Sequence, residues 1–366
     1  MENREIEPLE SSMVHGVSRR TFLQYCATLA SLMALPSSAG VAFSKALSSV
    51  SRPPVIWLSF QDCGGCTESL IRSNVPTLED LLFNSLSLEY HQAFQISAGI
   101  ATEAARKDVV QKNWGKYLLI VDGSIPMKEE GVYSTTAGVS HYDLLMEMAK
   151  GAAAVIAMGT CAVSGGLSRA YPNPTGATAI SRLIKDKPVI NLPGCPPIPV
   201  VMTGVLIYYL TFGAFPELDA LGRPKAFYGE TVHDRCYRRP FYEQGKFAKS
   251  FDDEGARQGW CLFELGCKGH ITHNACSTKK WNGAVSFPIE SGHGCLGCSE
   301  PGFLDTGSFY RALSLPEKPI GHAVNALMAG AMVGGSMFMT NRGFKMVAAH
   351  THLPSCVADL EKESGG

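Results

Sequence analysis

Four apolar runs of strand length recur along the first part of the chain. They comprise residues 54–60, 117–121, 153–158 and 188–192. Each run is continuously apolar and does not alternate with polar residues, as in strands that are buried on both faces of a parallel sheet. Segments of helical character lie between and after these runs, at residues 78–85, 100–111, 142–149, 177–184 and 200–210. Strands that alternate with helices predict an α/β, doubly wound domain with a parallel sheet.

The N-terminal residues have the pattern of an export signal. Residues 18–23 form a twin-arginine signature (SRRTFL), an apolar stretch covers residues 23–35, and small residues continue to Ala46. This order of basic, apolar and small-residue regions is typical of secretory signals. We therefore predict that residues 1–46 are a twin-arginine signal peptide, with an amphipathic helix that starts the fold as the alternative. Twin-arginine export moves folded proteins, so the signal also favours a protein that carries a cofactor.

A second long apolar segment lies near the C-terminus. Residues 320–340 contain no Asp, Glu, Lys or Arg, and at ~1.5 Å per residue they span roughly 30 Å, enough for a bilayer core. Arg342 and Lys345 follow at once, and by the positive-inside rule they place the tail in the cytoplasm and the bulk of the chain in the periplasm. The segment is therefore predicted to be a transmembrane anchor. A buried core helix is the alternative, which His322 favours.

Composition and charge narrow the classes of function. A hydrophobic content of 45% and a charged content of 18% fit a globular protein with an ample core. A net charge of −1 gives no basic field for nucleic acid. The unusual feature is the 12 cysteines. An exported protein could use them in disulfides, but the C-x-x-C pairs Cys63/Cys66 and Cys295/Cys298 suit two ligands on one metal centre.

Four cysteines directly follow predicted strands. Cys63 and Cys66 follow the first strand, Cys161 the third and Cys195 the fourth. Open α/β sheets bind ligands at the carboxyl ends of their strands, so we expect these four thiolates to converge on one crevice. Four is the right number of ligands for a 4Fe–4S cluster. Glycines beside the cysteines permit a close approach of the backbone. They could instead form a phosphate cradle, but no lysine follows them as in a P-loop.

Residues 228–307 show little periodicity and are rich in Gly, Pro and charge. They contain seven further candidate ligands. By order along the chain these divide into a set of four and a set of three, namely His233, Cys236, Cys261 and Cys267, and then Cys276, Cys295 and Cys298. A three-cysteine site suits a 3Fe–4S cluster, because structural zinc sites use four ligands. A structural zinc-binding protein, with one Cys₃His site and one incomplete site, remains the alternative from another class.

Five motifs together resemble the small subunit of membrane-bound, periplasm-facing uptake nickel–iron hydrogenases. They are residues 62–69 (DCGGCTES), 121–126 (VDGSIP), 159–161 (GTC), 193–197 (PGCPP) and 292–298 (GHGCLGC). The similarity runs from the signal to the C-terminal tail. Together the motifs are highly specific, whereas a C-G-x-C sequence alone would not be.

The resemblance implies a domain organisation. Residues 47–227 would form a flavodoxin-like domain with the proximal cluster, and residues 228–315 an irregular domain with the medial and distal clusters. Residues 320–340 would form the transmembrane anchor, and residues 341–366 the cytoplasmic tail.

The resemblance also implies a role for each set of ligands, and so two 4Fe–4S clusters and one 3Fe–4S cluster. The proximal 4Fe–4S cluster of the family has ligands that match Cys63, Cys66, Cys161 and Cys195. The medial 3Fe–4S cluster has ligands that match Cys276, Cys295 and Cys298. The distal 4Fe–4S cluster has ligands that match His233, Cys236, Cys261 and Cys267.

In this family the catalytic nickel–iron centre lies in a separate large subunit. The resemblance therefore implies a heterodimeric H₂:acceptor oxidoreductase in which this chain contributes no catalytic residue. It would pass electrons from H₂ oxidation to a membrane acceptor, a quinone or a cytochrome b protein, at the periplasmic side of the inner membrane. The nearest alternative is the related iron–sulfur conduit of a complex-I-like quinone reductase. That conduit would not explain the second set of seven ligands or the twin-arginine signal.

Three positions are informative because they lack a cysteine. Pro288 lies where a fourth medial cysteine would otherwise be expected, which fits a three-iron cluster. Oxygen-tolerant relatives have two additional cysteines, at the places of Gly65 and Gly166, so we expect an ordinary proximal cluster and an oxygen-sensitive enzyme. Ser164 replaces a tryptophan that many relatives carry, and there we expect only a local change in packing.

Overall fold

Five parallel strands form the central sheet in a computed structural model, which describes residues 13–313 except 15–16, 37, 44–51, 75 and 308. The strands are β1 Pro54–Ser59, β2 Ser87–His91, β3 Leu118–Asp122, β4 Ala154–Met158 and β5 Val189–Leu192. They are ordered β2-β1-β3-β4-β5, and every neighbouring pair is parallel. This is the strand order of flavodoxin-like folds. The predicted parallel-sheet α/β fold is therefore confirmed.

The sequence predicts four of these strands but not β2. Its residues, Ser87–His91, include a serine, a glutamate and a histidine, and only the last two side chains of the strand are buried. β2 pairs with β1 alone, so it lies at an edge of the sheet. An edge strand does not need the continuous apolar run that identifies a strand buried on both faces.

The longer helices pack around the sheet. They are α1 Arg19–Leu32, α2 Gly65–Ile71, α3 Gly99–Lys112, α4 His141–Gly151, α5 Gly159–Ser164 and α6 Pro199–Phe212. The shorter helical turns are Leu78–Asp80, Leu81–Ser85, Lys128–Gly131, Gly166–Arg169, Ile180–Leu183, Lys225–Tyr228, Arg239–Glu243, Glu254–Arg257, Phe263–Leu265 and Cys276–Lys279. Two small antiparallel ladders pair Met13–Val14 with Val17–Ser18, and Thr135–Thr136 with Val139–Ser140.

Each face of the sheet has its own apolar core. Val55 and Trp57 of β1 belong to the core on one face, together with much of α6. Ile56 and Leu58 of the same strand belong to the core on the other face, together with α4. Successive side chains of a strand point to opposite faces, so a strand between two cores must be apolar at every position. This explains why the predicted runs do not alternate.

The N-terminal helix α1 is packed into the first of these cores. Cys26, Leu29 and Met33 are buried in the same cluster as the apolar residues of α6. Phe43, in the helical segment 38–43, contacts Phe212 at the end of α6, with ring centroids 5.5 Å apart. α6 is apolar around its whole circumference, as expected of a helix that is covered on every side. Whether residues 1–46 act as an export signal stays a prediction; the segment covers α6 while it is attached.

The reactivity of the Cys26 thiol tests whether α1 is packed against α6. It is 0% exposed, and burial raises the pKa of its thiol to about 12, which leaves roughly a thousandfold less thiolate than an ordinary cysteine has. We expect maleimide to label Cys26 of the signal-bearing chain far more slowly than a cysteine introduced at exposed Ser31 of the same helix, as measured by peptide mass spectrometry. Equal labelling rates at the two sites would contradict the packing of α1 against α6.

Residues up to Ala312 form one compact unit. Its irregular second half has a small core of its own, which consists of Val232, Ala248, Leu262, Phe287 and Ile289. The proposed division into domains at residues 227 and 228 stays a prediction. In the part of the chain that the structure describes, no helix is both long and apolar enough to cross a bilayer. The predicted anchor at 320–340, the tail at 341–366 and Cys356 lie outside the described residues.

Candidate metal centres

Four cysteines line one cavity at the carboxyl edge of the sheet. They follow three different strands: Cys63 and Cys66 lie beyond β1, Cys161 beyond β4 and Cys195 beyond β5. The strand order reverses between β1 and β3, and such a switch point is where α/β sheets bind ligands. The structure thus brings together the four cysteines that the sequence places at this edge.

The thiols of this site are difficult to ionise in the protein alone. Burial raises the pKa of Cys66 well above its ordinary value, and the nearby charges of Asp122 and Cys161 raise it further. Burial, followed by the charge of Cys161, raises the pKa of Cys195 to about 12. Metal ions stabilise the thiolate form and displace the proton. A buried group of four sulfur donors therefore fits an iron–sulfur cluster and does not fit a hard cation such as Mg²⁺.

Two glycines allow the backbone to lie against these sulfurs. Gly159 has a φ of +83°, and a Cβ atom there would lie 2.4 Å from the Sγ atom of Cys66. Gly166 has a φ of +54°, and a Cβ atom there would lie 2.5 Å from the Sγ atom of Cys161. Any larger residue at either position would displace a sulfur. The sequence indicates this close approach, and the structure supplies its distances.

Three further cysteines, Cys276, Cys295 and Cys298, line a second cavity, together with Cys195 of the first set and Pro288. Burial raises the pKa of Cys276 to about 12 and raises that of Cys295 as well. Trp281 also lines this cavity. The sequence does not predict this position of Trp281, since nothing in a lone tryptophan identifies it as part of a metal centre.

His233 and three cysteines form the remaining set. The negative charge of Cys267 raises the pKa of both Cys236 and Cys261, after the larger effect of burial, so these sulfurs are neighbours. The amide of Cys236 donates to the carbonyl oxygen of His233 at 3.1 Å, which closes a tight turn between the two predicted ligands. Burial lowers the pKa of His233. This favours the neutral imidazole, the form that binds a metal.

Hydrogen bonds between the sets show how they adjoin. Cys195, in the first set, also lines the cavity of the three-cysteine set, and the hydroxyl of Thr160, next to Cys161, donates to the carbonyl oxygen of Cys298 at 2.5 Å. The amide of Cys295, in the three-cysteine set, donates to the sulfur of Cys267 at 3.3 Å. The three-cysteine set therefore adjoins both of the others.

Every cysteine that the structure describes is free. Within the same residues, no group of three or more His, Cys, Asp or Glu side chains could hold a single metal ion.

Two buried charged groups near the sites are not predicted from the sequence. Asp122, the last residue of β3, is 0% exposed, and burial together with the charge of Asp62 raises its pKa to about 7. Lys268 is buried beside Cys267, and its Nζ atom donates to the carbonyl oxygen of Thr306 at 2.6 Å. The motif at 121–126 contains Asp122, so a sequence signal exists for it. No pattern identifies Lys268 as buried.

Comparison with known proteins assigns both halves of the chain. Residues 228–311 match the family of C-terminal domains of NiFe/NiFeSe hydrogenase small subunits. Residues 63–209 match the family of the 20 kDa subunit of NADH ubiquinone oxidoreductase. The complex-I-like alternative thus shares the first domain with this chain, but only the hydrogenase family accounts for the second.

Curated relatives extend the match over most of the chain. The uptake hydrogenase small subunit of Azotobacter vinelandii is 46% identical over 323 residues, which cover 88% of this chain and 90% of the relative. The hydrogenase-1 small chain of Citrobacter freundii is 47% identical over 303 residues, 82% of this chain and 81% of the relative.

Solved structures of hydrogenases have a similar fold. The NiFeSe hydrogenase from Desulfomicrobium baculatum matches 72% of this chain and 100% of the solved chain, with a TM-score of 0.67 and 32% identity. The NiFeSe hydrogenase of Desulfovibrio vulgaris Hildenborough has a TM-score of 0.66 and 35% identity over 72% of this chain and 99% of that one. The cysteine sets fit iron–sulfur clusters, and these relatives match most of the chain. The chain therefore belongs to the small subunits of the nickel–iron hydrogenases, the electron-transfer subunits that pair with a large subunit.

Proposed function

We propose that the three sets of ligands hold three clusters in a row. Cys63, Cys66, Cys161 and Cys195 would hold a proximal 4Fe–4S cluster. Cys276, Cys295 and Cys298 would hold a medial 3Fe–4S cluster. His233, Cys236, Cys261 and Cys267 would hold a distal 4Fe–4S cluster. The observation that supports this proposal is that the three-cysteine set adjoins both others: Cys195 lines its cavity, and the amide of Cys295 donates to the sulfur of Cys267 at 3.3 Å.

An iron–sulfur cluster, when bound, accepts and releases single electrons without a change of ligands. The residues of this chain provide the ligands, the spacing and the polarity around them. At the proposed distal site, neutral His233 replaces a negatively charged thiolate. We expect this substitution to raise the reduction potential of that site, since the same replacement does so in Rieske centres.

We also propose a membrane location. Residues 1–46 would direct twin-arginine export, and residues 320–340 would anchor the chain at the periplasmic side of the inner membrane. The acceptor would then be a membrane quinone or a cytochrome b protein. The sequence supports this proposal through the twin-arginine signature, the uncharged segment and the basic residues that follow it.

Anaerobic purification from membranes tests the proposed function as a whole. We expect a nickel-containing large subunit to purify with this chain, and hydrogen to reduce a viologen dye with the purified complex. Electron paramagnetic resonance of the oxidised complex should show a 3Fe–4S signal. If the chain is recovered from the soluble fraction, the proposed anchor is wrong. If the membrane complex lacks the three-iron signal, the proposed medial cluster is wrong.

Oxygen sensitivity is a separate prediction. Gly65 and Gly166 stand where oxygen-tolerant relatives have additional cysteines. At Gly166 a side chain would collide with the Sγ atom of Cys161, so the site as folded has no room for a further ligand there. We expect hydrogen oxidation by the purified enzyme to be lost in air. The measurement is hydrogen uptake under a stepwise increase in oxygen, and activity that persists in sustained air would contradict the prediction.

A further inference from the structure

Thr160 joins three segments that carry proposed cluster ligands. It precedes Cys161 in α5 and is 2% exposed. Its hydroxyl donates to the carbonyl oxygen of Cys298 at 2.5 Å and accepts from the amide of Gly194 at 2.9 Å. Its own amide donates to the carbonyl oxygen of Gly194 at 2.9 Å. The threonine hydroxyl is therefore engaged as both donor and acceptor across these segments.

Each of these attachments lies at or next to a cysteine of the sites. Cys161 follows Thr160 and Cys195 follows Gly194, so one residue holds two of the three loops of the four-cysteine site together. The third attachment is to the backbone of Cys298 in the three-cysteine site. Cys195 itself lines the cavity of the three-cysteine site.

We propose that Thr160 is a positioning residue, which fixes the proximal set against the medial set and holds the backbone carbonyl of Cys298 in place. The proposal rests on the cluster assignment above. It adds that electron transfer from the first site to the second depends on a residue that is not a ligand.

The hydroxyl has an effect on the medial site that simple packing would not have. A cluster becomes more negative on reduction, so a carbonyl oxygen beside a ligand that lacks a donor disfavours the reduced state and lowers the reduction potential. Loss of the Thr160 hydroxyl would leave the Gly194 amide and the Cys298 carbonyl without their partner in a buried place. The carbonyl oxygen of Cys298 would then no longer be neutralised by a donor beside the medial site.

The test is a redox titration of the purified heterodimer, monitored through the electron paramagnetic resonance signal of the 3Fe–4S cluster. We expect Thr160→Val, which keeps the shape of the side chain but lacks the hydroxyl, to lower the midpoint potential of that signal. Thr160→Ser, which keeps the hydroxyl, should retain the wild-type potential. Should the valine variant fail to assemble, Thr160→Ala removes the same hydroxyl with less bulk and is titrated in its place.

Thr203→Val is the matched control. Thr203 is also buried, and its hydroxyl donates to the carbonyl oxygen of Pro199 at 3.2 Å, a bond within α6. This variant should leave the medial potential unchanged. If the wild-type complex has a three-iron signal and the variants without the hydroxyl have the same potential, the proposed role of Thr160 is wrong and the cluster assignment stands. The absence of any three-iron signal from the wild-type complex overturns the cluster assignment and this inference with it.

Discussion

Gly159→Ala is expected to abolish assembly of the four-cysteine site. A Cβ atom at this position would lie 2.4 Å from the Sγ atom of Cys66, well inside van der Waals contact. The φ of +83° adds backbone strain of roughly 1–2 kcal/mol for any residue with a side chain. Relief of the collision requires that Cys66 move away from the other three sulfurs. The purified heterodimer should therefore lack about one 4Fe–4S cluster, as measured by iron content and visible absorbance.

Gly115→Ala separates the collision from the strain. Gly115 has a similar φ of +77°, but a Cβ atom there would meet nothing within 4 Å. Backbone strain should lower the stability of this variant by roughly 1–2 kcal/mol. Its iron content should remain complete. If the Gly159 variant also kept all of its iron, the close packing of backbone against the Cys66 sulfur would be wrong.

The sequence predicts the buried strands of the sheet better than it predicts the edge strand and the ends of the helices. Strands β1, β3, β4 and β5 are enclosed by two cores, so each carries a continuous apolar run that is visible without a structure. β2 lies at an edge and lacks this run, so the hydrophobic pattern does not identify it. The helix predicted at 177–184 is shorter in the structure, Ile180–Leu183. Its boundaries depend on local contacts that a periodic pattern does not contain.

The candidate sites also contain some residues that the sequence predicts and others that it does not. Cysteine spacing and strand ends predict that Cys63, Cys66, Cys161 and Cys195 converge, because the topology of a parallel sheet fixes where its carboxyl ends meet. The contributions of Thr160 and Trp281 could not be predicted. Threonine and tryptophan are common core residues, and only the folded chain shows that Thr160 bonds the Cys298 backbone and that Trp281 lines the cavity of the three-cysteine set.

The role of Pro288 leads to the second prediction. Pro288 lines the same cavity as Cys276, Cys295 and Cys298, and proline offers no ligand to iron. A cysteine at this position would supply the fourth thiolate that a 4Fe–4S cluster requires. Pro288 is exposed, and its carbonyl oxygen accepts from the amide of His293 at 2.9 Å, a bond that any residue can make. Pro288→Cys should therefore fold normally and convert the proposed three-iron site to a four-iron site.

The conversion should remove the 3Fe–4S signal of the oxidised complex and add about one iron per heterodimer, with a new 4Fe–4S signal on reduction. Glu290→Cys is the matched control, because it introduces an exposed thiol two residues away that does not line the cavity. It should leave the three-iron signal unchanged. A three-iron signal that persists in Pro288→Cys would mean that residue 288 does not face the missing corner of the cluster. Since the three cysteines would still surround the cavity, that result would contradict the place assigned to Pro288 and leave the other ligands of the site in place.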